Sequence, residues 1–360
     1  MRILNISKFH FDFKGGVEKE ARRVSKQLSK KHEVDTVCFA KTNKLETLGK
    51  NERIISFKCF RLFSKVDISL KQTIFLLTHI TKYDVIWLHY PNIIPVFAIL
   101  LRGRCKKTVI QYQNDIQVLK LLYFLFKPFE KILLNNSDMI ITSSPNYHLY
   151  SKALLNHEKK ILPIPIRIPN IITSNEKKPF QIGDIIKITT LGRYTAYKGY
   201  EKLIDIVKTN TSINLNIISS SEFPISLEKK IESTENINLL RGLNDSEVNA
   251  ALLQSDAFVL SSISRNEGFG IVLLEALRLG LPICVNKLEG TGSEFITKPG
   301  YNGEFFDIDN GESLYFALNK ICSFNKYSIY SNGAKEDFRK RFCINEKNEF
   351  LEALENIISL

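Results

Sequence analysis

The chain has 360 residues, 44% hydrophobic and 24% charged, the balance of a globular protein long enough for two hydrophobic cores. Disordered, collagen-like and disulfide-scaffold classes are excluded, and the six cysteines (Cys38, Cys59, Cys105, Cys284, Cys322 and Cys343) have neither zinc-knuckle nor redox-motif spacing, so they read as reduced thiols. The net charge of +12 is uneven: residues 1–175 hold 29 Lys and Arg against 13 Asp and Glu, whereas residues 176–360 hold 21 against 25.

A basic half suits nucleic acid, an anionic membrane surface or a phosphorylated substrate. Nucleic acid is disfavoured, because there is no helix-turn-helix, zinc-finger or RNP pattern and the basic residues are not interleaved with aromatics in one stretch. No apolar run approaches the length of a membrane span, and Lys8 and Asp12 interrupt any signal-peptide core, so a cytoplasmic location is expected.

In chain order, Arg2 to Ser7 reads as a strand, Lys14-Gly15-Gly16 as a turn, and Val17, Ala21, Val24 and Leu28 as one face of a helix; Glu33 to Ala40 is the next strand. Asp84 to Leu88 and Thr108 to Tyr112 read as buried strands ending at His89 and at Gln113-Asn114-Asp115. Asp138 to Thr142 is a third, followed by Ser143-Ser144-Pro145 and a helix expected at about Tyr147 to Leu155. In open parallel sheets ligands bind at the carboxyl ends of strands, so these endings are candidate sites. Two apolar stretches, Pro91 to Leu101 and Val118 to Phe129, lie among Arg102, Arg104, Lys106, Lys107, Lys120, Lys127 and Lys131. The first reads as a packed helix as readily as an interfacial one. The second, apolar nearly all round, leans toward the membrane interface.

The proline-rich Leu162 to Pro169, continued by Asn170 to Pro179, reads as an interdomain linker. Beyond it the alternation restarts: strand Ile185 to Leu191, helix Tyr200 to Lys208, strand Asn214 to Ser219, helix Asp245 to Gln254, strand Ala257 to Leu260, helix Gly270 to Leu279 and strand Pro282 to Asn286. This predicts an α/β protein of two doubly wound domains facing a central cleft.

Two patterns carry candidate chemistry. In Glu267-Gly268-Phe269-Gly270, followed by Glu275, a glycine turn opens a helix whose positive end suits an anion, and Glu275 one turn in suits vicinal ribose hydroxyls. Taken alone, that pattern is better explained by a helix with an ordinary acidic start. In Gly192-Arg193-Tyr194-Thr195-Ala196-Tyr197-Lys198-Gly199, two cations end the domain's first strand, which suits a diphosphate.

These residues resemble the retaining glycosyltransferases of the GT-B fold, the "glycosyl transferases group 1" or family-four set: Gly-Arg-x4-Lys-Gly, then Glu-x7-Glu as Glu267 and Glu275. The first half adds Gly15-Gly16-Val17-Glu18, His89-Tyr90-Pro91-Asn92 and Thr142 to Tyr147, and the likeness is strongest to bacterial enzymes of O-antigen, capsule or exopolysaccharide assembly. It implies two Rossmann-like domains, 1–169 facing acceptor and membrane and 170–345 binding the nucleotide sugar, with 346–360 crossing back to the first.

By the same resemblance, Arg193 and Lys198 neutralise the leaving diphosphate without a metal ion or other cofactor. Glu275 holds the ribose, and Glu267 with the backbone of Gly268, Phe269 and Gly270 holds sugar and phosphates. Gly15 and Gly16 approach the diphosphate, and Arg241, Gly242 and Leu243 meet the base; Gly292 and Glu294 lie in a glycine turn near the donor. The resemblance implies a UDP-sugar or GDP-sugar as donor. It implies as acceptor a lipid-linked (polyprenyl diphosphate) saccharide at the inner face of the cytoplasmic membrane, with the protein expected to sit there peripherally.

One departure is clear. The family commonly carries His at the end of the strand where this chain has Gln113, and Gln cannot take a proton. Any base falls to Asp115 or is unneeded, and His89 is a further acid–base candidate. A silent scaffold is one alternative that Gln113 keeps open; a nucleotide-sugar epimerase is another.

Overall fold

The computed structural model describes residues 1–12, 15–62, 66–103, 106–116, 120–171, 185–344 and 348–358. Lys14, Arg104, Cys105, Val118, Leu119, the Lys120 side chain, residues 172–179 of the expected linker, and residues 346–347 and 359–360 of the expected last helix lie outside them. The chain divides into two compact units, one of Met1–Ile164 with Glu346–Leu360, the other of Pro165–Asn345.

In the first unit eight strands run in the order Ile161–Pro163, Met139–Thr142, Lys107–Tyr112, Val85–Tyr90, Arg2–Phe9, Glu33–Ala40, Glu52–Lys58 and Lys44–Gly49. All pairs are parallel except the last, where Lys44–Gly49 runs antiparallel along the edge. Alternate residues supply different cores: Leu4, Ile6, Ile86, Leu88 and Ile110 share one cluster, and Ile3, Val85, Trp87 and Val109 another. This is the period-two pattern of a sheet covered on both faces.

The C-terminal helix Glu349–Ile358 supplies part of the second cluster through Phe350, Leu351, Ala353, Leu354 and Ile357. The Phe350 ring meets Trp87 edge-on at 5.6 Å between centroids, and the Arg23 guanidinium lies over it at 4.6 Å.

Helices Leu70–His79, Ile93–Arg102 and Lys120–Asn136 pack side by side. The Ile93–Arg102 helix, anticipated as Pro91 to Leu101, buries Val96, Ala98 and Ile99 as an ordinary packing helix would. On Lys120–Asn136 the faces separate: Phe126, Leu133 and Leu134 are buried, whereas Phe124 and Leu125 are 72% and 60% exposed beside exposed Lys127 and Lys131. Among the described residues no helix is long and apolar enough to cross a membrane. The expected helix Tyr147 to Leu155 is only a 3-10 turn, Tyr147–Tyr150, because the Tyr147 and Ser151 hydroxyls are tied to Asp115 instead of following a helical path.

The second unit is a six-stranded parallel sheet, Ile237–Leu240, Ile213–Ile218, Ile186–Leu191, Ala257–Leu260, Ile283–Asn286 and Gly303–Phe306. It too is clothed on both faces, with Ile188, Val259 and Cys284 in one cluster and Phe258, Leu260, Ile283 and Val285 in another. Strand order reverses between Ile186–Leu191 and Ala257–Leu260, and in the first unit between Arg2–Phe9 and Val85–Tyr90. A crevice opens at such reversals, where loops leave on opposite faces.

Candidate active site

In the second unit both strands at the reversal run directly into the two patterns of interest. Ile186–Leu191 leads through Gly192 and Arg193 to a 3-10 turn, Ala196–Lys198, and then to the helix Tyr200–Lys208. Gly199 joins turn to helix with φ of +68°, and a Cβ there would stand 2.2 Å from the Ser261 carbonyl oxygen. Only glycine fits, and the fit brings the Lys198 turn against the end of Ala257–Leu260. Ser261 reinforces the contact by donating its hydroxyl to the Lys198 carbonyl at 2.8 Å.

Ala257–Leu260 in turn leads to the 3-10 turn Arg265–Glu267, then Gly268, Phe269 and Gly270, and the helix Ile271–Arg278. Gly270 caps that helix in the left-handed region, at φ +81° and ψ +51°. The Gly268 carbonyl accepts the Gly292 N–H at 2.8 Å, which seats the short helix Gly292–Ile296 against this turn; there Glu294 accepts the Gly290 N–H at 2.7 Å.

Lys198 and Glu267 are brought together. The ammonium reaches both carboxylate oxygens, at 3.0 and 2.8 Å, and the side chains keep only 11% and 6% of their exposure. The Ser262 hydroxyl donates to the same carboxylate at 2.6 Å. Glu267, expected to face a sugar, therefore serves first as the counter-charge of Lys198. Arg193 is exposed, and no ion pair holds it among the described residues. Glu275 is half-buried one turn into its helix. Arg241, with Gly242 and Leu243, follows the edge strand Ile237–Leu240, and its guanidinium pairs with Glu228.

In the first unit Gly15 is the N-cap of helix Gly16–Leu28. A Cβ on Gly15 would fall 2.0 Å from a carboxylate oxygen of Glu18, so the chain's own carboxylate lies against this helix start. Asp115 is also engaged: its Oδ1 accepts the Tyr112 hydroxyl at 2.9 Å and the Ser151 hydroxyl at 2.5 Å. His89, an acid–base candidate or a packed histidine by sequence, is a buried group in the structure. It is 1% exposed, Nε2 lies 2.9 Å from Asn5 Oδ1, and Nδ1 lies 3.4 Å from Gln113 Nε2. Burial pushes its pKa down to about 3, so the ring is neutral at physiological pH. Gln113 is half-exposed at the carboxyl edge of the sheet.

Sequence reasoning missed Ser261, Ser262, Asn5 and Thr36. The serines were legible as the polar ending of an apolar strand. Asn5 and Thr36, isolated polar residues in strand interiors, acquire partners only when the strands pair.

The pattern of the Glycosyltransferase Family 4 matches residues 14–165, and that of Glycosyl transferases group 1 matches residues 172–337. The chain is 25% identical over 359 residues to the O-antigen chain mannosyltransferase C of Escherichia coli, covering 95% of this chain and 93% of that one. Its fold superposes on the sucrose-phosphate synthase of Thermosynechococcus elongatus with a TM-score of 0.82, at 15% identity over 100% and 99% of the two chains. It also superposes on Anabaena HepE, solved with UDP and glucose, with a TM-score of 0.74, at 16% identity over the whole of both. With both patterns present in order, and a fold that superposes on these structures, the chain belongs to the group 1 and family-four glycosyltransferases of the GT-B fold.

Proposed function

We propose that this glycosyltransferase is a retaining, metal-independent hexosyl- or N-acetylhexosaminyltransferase. It moves a sugar from a UDP-sugar or GDP-sugar to a lipid-linked saccharide, of the polyprenyl diphosphate type, in bacterial O-antigen, capsule or related surface polysaccharide synthesis. The observation that carries the reading is the reversal point of the second sheet, where the loop bearing Arg193 and Lys198 and the turn Gly268–Gly270 leave adjacent strands. The full-length likeness to an O-antigen mannosyltransferase supports the acceptor class and a hexosyl donor.

In this reading the bond from the anomeric carbon to the diphosphate breaks, an acceptor hydroxyl oxygen takes its place, and the hydroxyl proton passes to the departing phosphate. Arg193 and Lys198 stabilise the charge that develops on that phosphate, and buried Glu267 holds Lys198 in place. Gly268, Phe269 and Gly270 offer backbone N–H groups at a helix start, and Glu275 takes the ribose.

The exposed apolar face of Lys120–Asn136 beside Lys127 and Lys131 supports peripheral attachment to an anionic bilayer at the cytoplasmic face. The deciding experiment is calorimetric titration with UDP and GDP in EDTA. Binding of one nucleotide, lost in Arg193→Ala, upholds the reading; binding of neither overturns it in favour of a silent scaffold.

A further inference from the structure

His89 and Gln113 belong to a longer hydrogen-bonded chain that crosses the first sheet. Asn5 Nδ2 lies 3.1 Å from Thr36 Oγ1 and 3.4 Å from the Ala21 carbonyl oxygen; Thr36 Oγ1 lies 3.2 Å from Ser25 Oγ; and Ser25 Oγ lies 2.6 Å from Glu52 Oε1. Glu52 is paired with Arg22. Asn5, Thr36 and Ser25 are fully buried, His89 is 1% exposed and Glu52 6%.

The direction of every bond follows from its neighbours. The Ala21 carbonyl only accepts, so the nitrogen of Asn5 faces it and the oxygen faces His89. His89 Nε2 must then carry the ring proton, which leaves Nδ1 with a lone pair, and the atom of Gln113 beside it must be the amide nitrogen. From Gln113 to Glu52 each group donates to the next, and the series ends on a carboxylate that only accepts. Such one-way chains polarise and rigidify their members.

We propose that this chain fixes the Gln113 carboxamide with its oxygen turned away from His89, as a standing acceptor for a hydroxyl of the reacting sugar, and that His89 is a positioning residue that exchanges no proton. The role for a sugar hydroxyl rests on the transferase reading above; the bond directions do not. The side chain that stands where an imidazole is expected therefore presents a fixed acceptor whose state is the same from weakly acidic to weakly basic pH.

The test is nitrogen NMR of the full chain labelled at histidine, with Gln113→Leu identifying the His89 ring by its shifted Nδ1 signal. Wild-type protein is expected to show that ring as the Nε2–H tautomer with no titration between about pH 5 and 8. Gln113→Glu matches glutamine in size but cannot donate, so Nδ1 must gain a proton and the ring must begin to titrate in that range. Turnover of the donor should fall at least about tenfold in both variants, while the Kd for UDP or GDP changes by less than about twofold. An Nδ1–H tautomer, ordinary titration in the wild type, an unaltered ring in Gln113→Glu, or wild-type kcat in Gln113→Leu overturns the proposal with the transferase reading intact. Failure of wild-type protein to bind either nucleotide overturns the sugar role through the parent reading, and the tautomer then decides the bond directions by itself.

Discussion

The Lys198 ammonium bridges both oxygens of the Glu267 carboxylate, at 3.0 and 2.8 Å, and both side chains are largely withdrawn from water. A buried pair of this kind binds its members to a common fate. Lys198→Ala should leave Glu267 as an uncompensated buried charge and cost about 3–5 kcal/mol of stability, as well as about two powers of ten in turnover. Lys198→Met combined with Glu267→Leu should recover most of the stability and none of the turnover. Urea unfolding beside a donor-turnover assay checks both; equal stability of the single and double variants would refute the coupling.

Arg193 is exposed and should behave differently. Arg193→Ala is expected to leave the melting temperature unchanged and weaken nucleotide binding at least about tenfold, because a charge-assisted phosphate contact is lost and nothing in the core is disturbed. Calorimetry and a thermal melt on the same preparation separate the two effects.

Gly199→Ala would place a Cβ against the Ser261 carbonyl in a left-handed backbone conformation. It should destabilise the second unit by about 2 kcal/mol or more and shift the Lys198 turn, so turnover falls with stability. Circular-dichroism melts and single-turnover rates check this expectation.

His89 makes stability depend on pH. Its folded pKa of about 3 lies below the ordinary value of 6.5, so between those values the unfolded chain binds more protons than the folded one. The contribution is complete above about pH 6.5 and is lost as pH falls toward 3. Between pH 7 and pH 5 the wild type should lose about 2 kcal/mol more stability than His89→Gln. Parallel slopes in the two proteins, measured by denaturant unfolding at each pH, would contradict the assigned burial.

Phe124 and Leu125 are 72% and 60% exposed on the helix that also carries Lys127 and Lys131. Replacing both apolar residues with Ser, or both lysines with Glu, should release the protein from anionic phosphatidylglycerol vesicles in a flotation assay. Binding to neutral vesicles is expected to be weak throughout.

The helix Tyr200–Lys208 was legible to the residue because Leu203, Ile204 and Val207 recur at helical spacing behind a glycine. Lys44–Gly49 and Glu52–Lys58 were not, since the first is a charged, exposed edge strand and the second continues a pattern that only pairing with Glu33–Ala40 makes intelligible. The motif residues of the site were readable because each is local to one strand end. The partners of His89 were not: they come from strands separated by up to 84 residues, and their polarity looks like noise until the sheet is assembled. Tyr147 to Leu155 misled for the same reason, since tertiary bonds to Asp115 outweigh a modest helical tendency.

Because Glu349–Ile358 packs over Ile3, Trp87 and Val109, the first unit is made of two segments of the chain that flank the second unit in sequence. During synthesis that covering helix is made only after the second unit, so one apolar face of the first sheet stays bare while the second unit is translated.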